Sequence, residues 1–159
     1  CSGLVLFAKT SKSAAVLSRQ WSAGEVTKQY LAVVPKGITP EADTLTDHVS
    51  FERGKARIVE EGSGQMAVLH YRVISEIDKY ALLEVTLETG RTHQIRLQLS
   101  AHGFPVKGDV RYGARRANSD RGIHLHGYQT TFMHPTRGSA MTVTAPVPDE
   151  PVWKAFDFS

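Results

Sequence analysis

Residues 80–99 read YALLEVTLETGRTHQIRLQL. The first eight of them are rich in Leu and Val and predict a strand, which Gly90 interrupts. Beyond that glycine, Ile95 and Leu99 recur at helical spacing until Gly103, a residue suited to the left-handed end of a helix. A strand followed at once by an amphipathic helix is therefore the centre of the predicted fold.

The first turns of this helix carry a basic face. Arg96 is predicted about one turn into the helix, whose other side is anchored in the core. Backbone N–H groups at the helix start and a nearby guanidinium create a positive field that can hold a carboxylate or a phosphate. An ordinary solvated face carrying Arg91, His93 and Arg96 is the alternative, and the pattern alone leaves both interpretations open.

Around this centre the chain alternates strands with short helices. A first helix is predicted between a cap at Thr10 or Ser11 and Gly24. Strands are predicted over 26–34, 66–74, 123–133 and 140–144, a polar connection over 38–47, an arm or hairpin over 49–61, and a helical tail over 152–156. Because most strands follow one another through turns, we expect mixed and antiparallel pairing and an α+β class.

Composition sets limits on the class of protein. With 159 residues, of which 41% are hydrophobic, the chain is predicted to fold as one domain over 1–159 with a substantial core. Its apolar runs are too short to cross a bilayer, and Cys1 is its single cysteine. These features favour a cytoplasmic, monomeric protein without membrane contact.

Positive charge is concentrated in two segments. One contains Arg53, Lys55 and Arg57, and the other contains Lys107, Arg111, Arg115, Arg116 and Arg121. Each cluster is a plausible contact for the phosphates of a polyanion such as RNA. Solvated loops are the alternative for both, because the net charge of the whole chain is only +3.

Several segments, in the same order along almost the whole chain, resemble one known family. TGRTHQIR at 89–96 is similar to the signature of the RluA family of RNA pseudouridine synthases. The other matching segments are SGLVLFAKT at 2–10, KQYLA at 28–32, PVKGD at 105–109 with YG at 112–113, LHG at 125–127, HP at 134–135 and MTVTAP at 141–146. The resemblance implies the pseudouridine synthase fold, a bent mixed or antiparallel sheet with a few helices and a central RNA-binding cleft.

The resemblance also implies a reaction and a set of residues. The bond between ribose and uracil N1 breaks, the base turns, and the sugar is rejoined at C5, with no metal, redox cofactor or energy source. Tyr30 aligns with the active-site tyrosine and Arg96 with the cation partner of the catalytic carboxylate, while Leu125 is a candidate for the pocket wall. RNA, ribosomal or transfer, is the expected partner, with contacts from Lys28, Arg53, Lys55, Arg57, Arg91, His93, Arg111, Arg115 and Arg116.

One feature of the family has no match in this sequence. The nucleophilic aspartate belongs to an HRLD motif that aligns three positions before Cys1. We therefore expect the chain to be an amino-terminally truncated catalytic domain that is inactive alone, and Arg96 to wait for a carboxylate that the chain does not supply. The alternative is a relative that binds RNA without catalysis.

A metal enzyme is the remote alternative. His124 and His126 share one face of a predicted strand, and His93 and His134 could approach them. No cysteine or acidic residue stands at ligand spacing beside them. Hydrogen-bonded or surface histidines therefore explain the pattern better, and no metal site is predicted.

Overall fold

The structure is a computed structural model and describes residues 1–158. Within them, eight strands form one mixed sheet. The strands are β1 (Ser2–Gly3), β2 (Thr27–Pro35), β3 (Ala42–Glu52), β4 (Lys55–Val59), β5 (Gln65–Glu76), β6 (Tyr80–Leu87), β7 (Leu125–Met133) and β8 (Ala140–Thr144). The helices are α1 (Ser11–Ser22), α2 (Gln94–Ala101) and α3 (Pro151–Lys154), with a 3-10 turn at Val110–Tyr112. The predicted α+β class is confirmed.

The strand order is β1-β7-β2-β6-β5-β3-β4, and β8 pairs with the second half of β7. Neighbouring strands are antiparallel except for β1 and β7, which run parallel. Strand β2 lies between β6 and β7, with Tyr30 opposite Val85 on one side and Gly127 on the other. The start of the chain is thereby joined to the same part of the sheet as Tyr30.

Both faces of the central sheet are covered. Ala32 and Val34 of β2 belong to a core that includes Ile95 and Leu99 of α2, while Leu31 and Val33 pack toward Trp153 of α3. This alternation follows from the two-residue period of a strand, which turns successive side chains to opposite faces. The apolar face of α2 therefore packs on the sheet, and its polar face is turned toward the loop that follows the helix.

Most of the predicted elements are found near their predicted places. Helix α1 begins after Thr10, whose hydroxyl accepts a hydrogen bond from the Ser13 backbone N–H at 3.1 Å, as expected of a helix cap. The polar connection predicted over 38–47 is wrong, because β3 begins at Ala42. Leu45 and Val49 are buried on one side of that strand, and most of its exposed residues are polar, with Phe51 and Ala42 as the exceptions. Pairing with β5 makes this segment a strand in spite of its loop-like composition.

The predicted arm over 49–61 is a hairpin formed by the end of β3 and by β4. Its tight turn is Arg53–Gly54, where both residues have positive φ, 48° and 77°. Such turns match the right-handed twist of the two strands that they connect. The hairpin projects beside the start of α2 and therefore brings the first basic cluster close to the signature helix.

Candidate active site

Arg96 and Asp109 form an ion pair that joins the motif segments 89–96 and 105–113. Arg96 Nε donates to Asp109 Oδ2 at 2.7 Å, and Nη2 donates to Oδ1 at 2.8 Å. The Arg96 side chain is 19% exposed and that of Asp109 is 1% exposed. These hydrogen bonds to Asp109 raise the pKa of Arg96 above its ordinary value. The guanidinium therefore stays charged and fixed in one orientation.

The loop between α2 and β7 holds Asp109 in place. Gly108 has a φ of 87° and is buried, a conformation that other residues rarely adopt. Lys107, just before it, donates its backbone N–H to Val33 and accepts from the N–H of His124. The backbone oxygen of Asp109 accepts from the N–H groups of Tyr112 and Ala114. Main-chain bonds to the sheet thus position the carboxylate, although it lies outside any strand.

The Tyr112 ring supports the other side of Arg96. The guanidinium carbon lies 4.8 Å from the ring centroid, a cation–π arrangement. The Tyr112 hydroxyl accepts the Ala56 N–H of β4 at 2.9 Å and lies 2.9 Å from His93 Nδ1. Tyr112 therefore connects the basic hairpin with the first turn of α2.

The expectation that the chain supplies no carboxylate to Arg96 is wrong, since Asp109 already binds it, whereas the role of Arg96 as partner of the nucleophilic aspartate stays a prediction. Asp109 occupies the edge of the guanidinium formed by Nε and Nη2. Within residues 1–158, Nη1 has no hydrogen-bond partner. A guanidinium has a second edge, Nη1 with the remaining hydrogen of Nη2, that can receive another anion.

Tyr30 lines a cavity of about 390 Å³ together with Lys28, Trp21 and the first six residues of the chain. Partial burial raises the pKa of the Tyr30 hydroxyl. Its ring packs against the same core as Ile95 of α2. Leu125 is buried in that core and is not among the residues that line the cavity, so its role as a pocket wall stays a prediction.

Lys28 connects this cavity with the signature segment. Its ammonium lies 5.7 Å from the centre of the Trp21 ring and packs closely on Gly90, where a Cβ would come within 3.1 Å of Nζ. Partial burial lowers the pKa of Lys28. The KQYLA and TGRTHQIR segments are thus neighbours in space, as the resemblance requires.

The structure brings some of the predicted RNA contacts together and separates others. Arg53 and Lys55 lie at the hairpin turn, and the guanidinium of Arg111 donates to the Gly54 carbonyl of that turn. Arg57 pairs with Ser50 and faces the side of the sheet opposite to its buried neighbour Ala56.

The remaining predicted contacts differ in their surroundings. Arg91 donates Nε to the Met66 carbonyl at 3.0 Å and so caps backbone, one of the two roles that its place in the motif allows. His93 is half-buried against Tyr112, and Arg115 and Arg116 are exposed in the loop after the 3-10 turn. Residues of the two clusters therefore meet at the hairpin turn, where Arg111 contacts Gly54.

The histidines have structural partners. His124 stacks on Trp153 with ring centroids 5.5 Å apart, and His126 contacts the edge of the same indole. His126 Nδ1 lies 2.8 Å from the Ser2 hydroxyl, and His134 Nδ1 accepts backbone N–H groups of its own turn. Within the part of the chain that the structure describes, no three His, Cys, Asp or Glu side chains are grouped to hold a metal ion.

Sequence reasoning assigned no role to Asp109, Tyr112 or Phe51. Asp109 and Tyr112 stand in the PVKGD and YG segments, and their place in these two motifs is the signal that could have found them. Phe51 carries no comparable signal. In the sequence it is one apolar residue in an alternating strand.

The known proteins that this chain resembles point to one family. A family model described as RNA pseudouridylate synthase matches residues 1–101. This chain belongs to the RluA-type family of RNA pseudouridine synthases. The matched residues contain both the Tyr30 strand and the signature helix with Arg96, so the family resemblance seen in the short motifs is confirmed.

Individual pseudouridine synthases show the extent of the likeness. The uncharacterized RNA pseudouridine synthase YlyB of Bacillus subtilis is 33% identical over 150 residues, which cover 94% of this chain and 50% of YlyB. Ribosomal large subunit pseudouridine synthase D of Zymomonas mobilis is 32% identical over 159 residues, which cover 94% of this chain and 50% of that protein. The chain thus spans about half the length of the curated relatives it matches.

A solved structure shares the fold of this family member. Human RNA Pseudouridylate Synthase Domain Containing 1 superposes with a TM-score of 0.75 at 26% identity, covering 92% of this chain and 65% of that one. Because 92% of the chain is covered, the structural likeness extends beyond residues 1–101 that the family model matches. Among residues 1–158, no helix has both the length and the apolar character needed to cross a membrane.

Proposed function

We propose that residues 1–159 are the catalytic domain of an enzyme that converts a uridine of ribosomal RNA to pseudouridine. Family membership supports the reaction, and relatives named as ribosomal large subunit synthases favour ribosomal over transfer RNA. The observation that carries the proposal is a guanidinium fixed on one edge by Asp109 and open on the other. The enzyme is proposed to be monomeric and cytoplasmic.

In this proposal, the nucleophilic aspartate comes from a segment that precedes Cys1. The first six residues and Tyr30 line one cavity, and the cavity-lining residues include no carboxylate. An aspartate entering beside Cys1 would approach the Tyr30 side of the cleft. The open edge of Arg96 would receive this carboxylate and keep it ionised and oriented in a dry site.

Each residue then has one task in the reaction. The ring of Tyr30 packs against the uracil, and its hydroxyl, kept protonated by burial, exchanges a proton with the base. Uracil is released from ribose C1′ at N1, turns, bonds through C5, and loses the C5 proton. The target uridine is taken out of its RNA stack, because these atoms are otherwise unreachable.

The test uses the full-length protein and RNA extracted from cells that lack its gene. Wild-type protein is expected to form pseudouridine at one or a few sites, detected by chemical mapping. Tyr30→Phe is expected to lower kcat with an unchanged melting temperature, because the ring and its packing stay. RNA binding without any pseudouridine in the wild type would indicate the alternative, a non-catalytic relative.

The same experiment also tests the expectation that the 159-residue chain is inactive alone. The chain without an upstream segment is expected to bind RNA in a salt-sensitive way and to form no pseudouridine. Pseudouridine formation by this chain alone would mean that the nucleophile lies within it.

A further inference from the structure

Phe51 is a half-exposed aromatic side chain beside the candidate site. It is 50% exposed at the end of β3. Leu45 and Val49 are buried on the face of β3 that packs toward α2, and the alternation of the strand places Phe51 on that same face. Its ring meets His93 edge to face, with centroids 5.9 Å apart and an interplanar angle of 80°. The reaction as proposed above makes no use of this aromatic surface.

His93 is held rigidly at this position. Its backbone has a φ of 56°, in the left-handed region, and Nδ1 lies 2.9 Å from the Tyr112 hydroxyl. Burial and the charges of Arg96 and Arg111 lower the pKa of His93, so the ring is neutral near pH 7. Because the Tyr112 hydroxyl accepts the Ala56 N–H, its own proton is free to be donated to Nδ1. That direction leaves the imidazole proton on Nε2, which has no partner within residues 1–158.

Cations lie close to these rings. Lys55 Nζ is 5.6 Å from the centre of the Tyr112 ring that contacts His93, and Arg96 and Arg111 are near enough to act on the pKa of His93. Arg53 and Lys55 stand at the hairpin turn, and Arg111 fixes the turn through the Gly54 carbonyl. Three acidic residues are nearby, and Asp109, whose charge acts to raise the pKa of His93, is paired with Arg96. Glu52 is the cross-strand partner of Lys55, and Asp47 accepts a hydrogen bond from Gln98 at 2.7 Å. The surface therefore combines an aromatic face, a hydrogen-bond donor and several positive charges.

This combination matches one unpaired nucleotide. A base stacks on an aromatic ring whatever its identity, a neutral imidazole N–H reaches a base oxygen or nitrogen, and Lys or Arg binds the phosphates. An apolar peptide segment would use the ring but not the charges. An acidic peptide would use the charges but would gain little from the ring.

We propose that Phe51 and His93 form the binding site for one unpaired RNA base, with the phosphates of its strand held by Arg53, Lys55 and Arg111. The proposal rests on the proposed function, because RNA is the substrate there. The bound base is a neighbour of the target uridine, since the Tyr30 cavity is a separate place on the molecule. Stacking at Phe51 holds the strand while the target base is turned out.

The test measures binding of a single-stranded oligoribonucleotide carrying 2-aminopurine, whose fluorescence is quenched by stacking. In the full-length protein, Phe51→Ala is expected to weaken binding roughly 5- to 150-fold and to abolish the quenching, the range found for loss of one base–aromatic stack. Phe51→Trp is expected to retain both. Phe158→Ala is the matched control, because Phe158 is 47% exposed in the tail, and its affinity should equal that of the wild type.

Three outcomes would overturn the proposal. The first is equal affinity and quenching for Phe51→Ala and wild type. The second is a loss of affinity in Phe51→Ala that matches the loss in Phe158→Ala. The third is a loss of binding to a polyglutamate peptide by Phe51→Ala that equals its loss of binding to the oligoribonucleotide. That result would assign the surface to an acidic protein partner.

The experiments distinguish a failure of the base-binding site from a failure of the proposed function. If wild type forms pseudouridine and Phe51→Ala has the same KM for RNA, the base site is wrong and the enzyme stands. If no variant forms pseudouridine but binding still depends on Phe51, the base site stands and the enzyme is wrong. With both correct, Phe51→Ala raises KM more than it lowers kcat.

Discussion

At the scale of single residues, the pairing of Arg96 with Asp109 is the strongest constraint on this site. A bidentate pair with a 1% exposed carboxylate is costly to break, because removal of one partner leaves a buried charge without compensation. Arg96 therefore has two roles that one substitution does not separate. It stabilises the loop that carries Asp109, and in the proposed reaction its free edge binds the nucleophilic carboxylate.

We predict that Arg96→Ala lowers the free energy of unfolding by about 3–5 kcal/mol, measured by urea denaturation. The double variant Arg96→Met with Asp109→Leu should recover most of this loss, since no unpaired charge stays buried. Arg72→Ala is the control, because its pair with Glu84 is exposed and should contribute less than about 1 kcal/mol. A loss no larger than that of the control would contradict a stabilising role for the buried pair.

At the scale of elements, the loop between α2 and β7 depends on the backbone of one glycine. A Cβ on Gly108 would lie 2.8 Å from the Gly122 carbonyl oxygen and closer still to the Asn118 amide, and the φ is 87°. Asn118 itself binds Lys107 at 2.6 Å and His124 at 2.9 Å. The loop has no room to relax without moving the residue after Gly108, which is Asp109.

Gly108→Ala is therefore expected to destabilise the protein by clearly more than Gly103→Ala. Gly103 also has a positive φ, 94°, but a Cβ there meets nothing within 4 Å. The control should cost about 1–2 kcal/mol from the backbone alone, and Gly108→Ala should add a steric cost to that. Equal unfolding free energies for the two variants in urea would show that the crowding around Gly108 has no energetic effect.

At the scale of the whole molecule, α3 covers the sheet and buries two histidines under Trp153. Burial lowers the pKa of His124 to about 4, with the charge of Lys107 as the second cause, and burial also lowers the pKa of His126. The unfolded chain takes up a proton at each position near pH 6.5, whereas the folded chain resists it. The contribution of these two histidines to the free energy of unfolding is therefore fully present above pH 6.5 and falls as the pH decreases from 6.5 toward 4.

We expect His124→Gln to remove part of this pH dependence. The contribution of His124 is on the order of 2 kcal/mol between the two limits, somewhat less than the full shift implies because the group is partly screened. The measurement is the free energy of unfolding in urea at several pH values between 4 and 7.5. If wild type and His124→Gln lose stability with the same slope, His124 does not titrate as its burial requires.

Much of the architecture follows from local patterns that need no knowledge of the fold. The strand at Tyr80–Leu87, the capping of α1 by Thr10 and the last strand at Ala140–Thr144 agree closely with their predicted places. Strand β3 does not, because its polar sequence becomes a strand only when β5 lies beside it. Local preference is a weak guide where tertiary pairing supplies the hydrogen bonds.

By itself, the sequence determined the α+β class and the family, and it predicted Tyr30 and Arg96 as site residues, since all of these depend on periodicity and on short motifs. Only the tertiary structure decided which carboxylate binds Arg96, which side of the sheet Arg57 faces, and that Phe51 meets His93. The physical reason is distance along the chain. Partners far apart in sequence meet only through the strand register and the loop that place them, and neither is encoded in a local pattern.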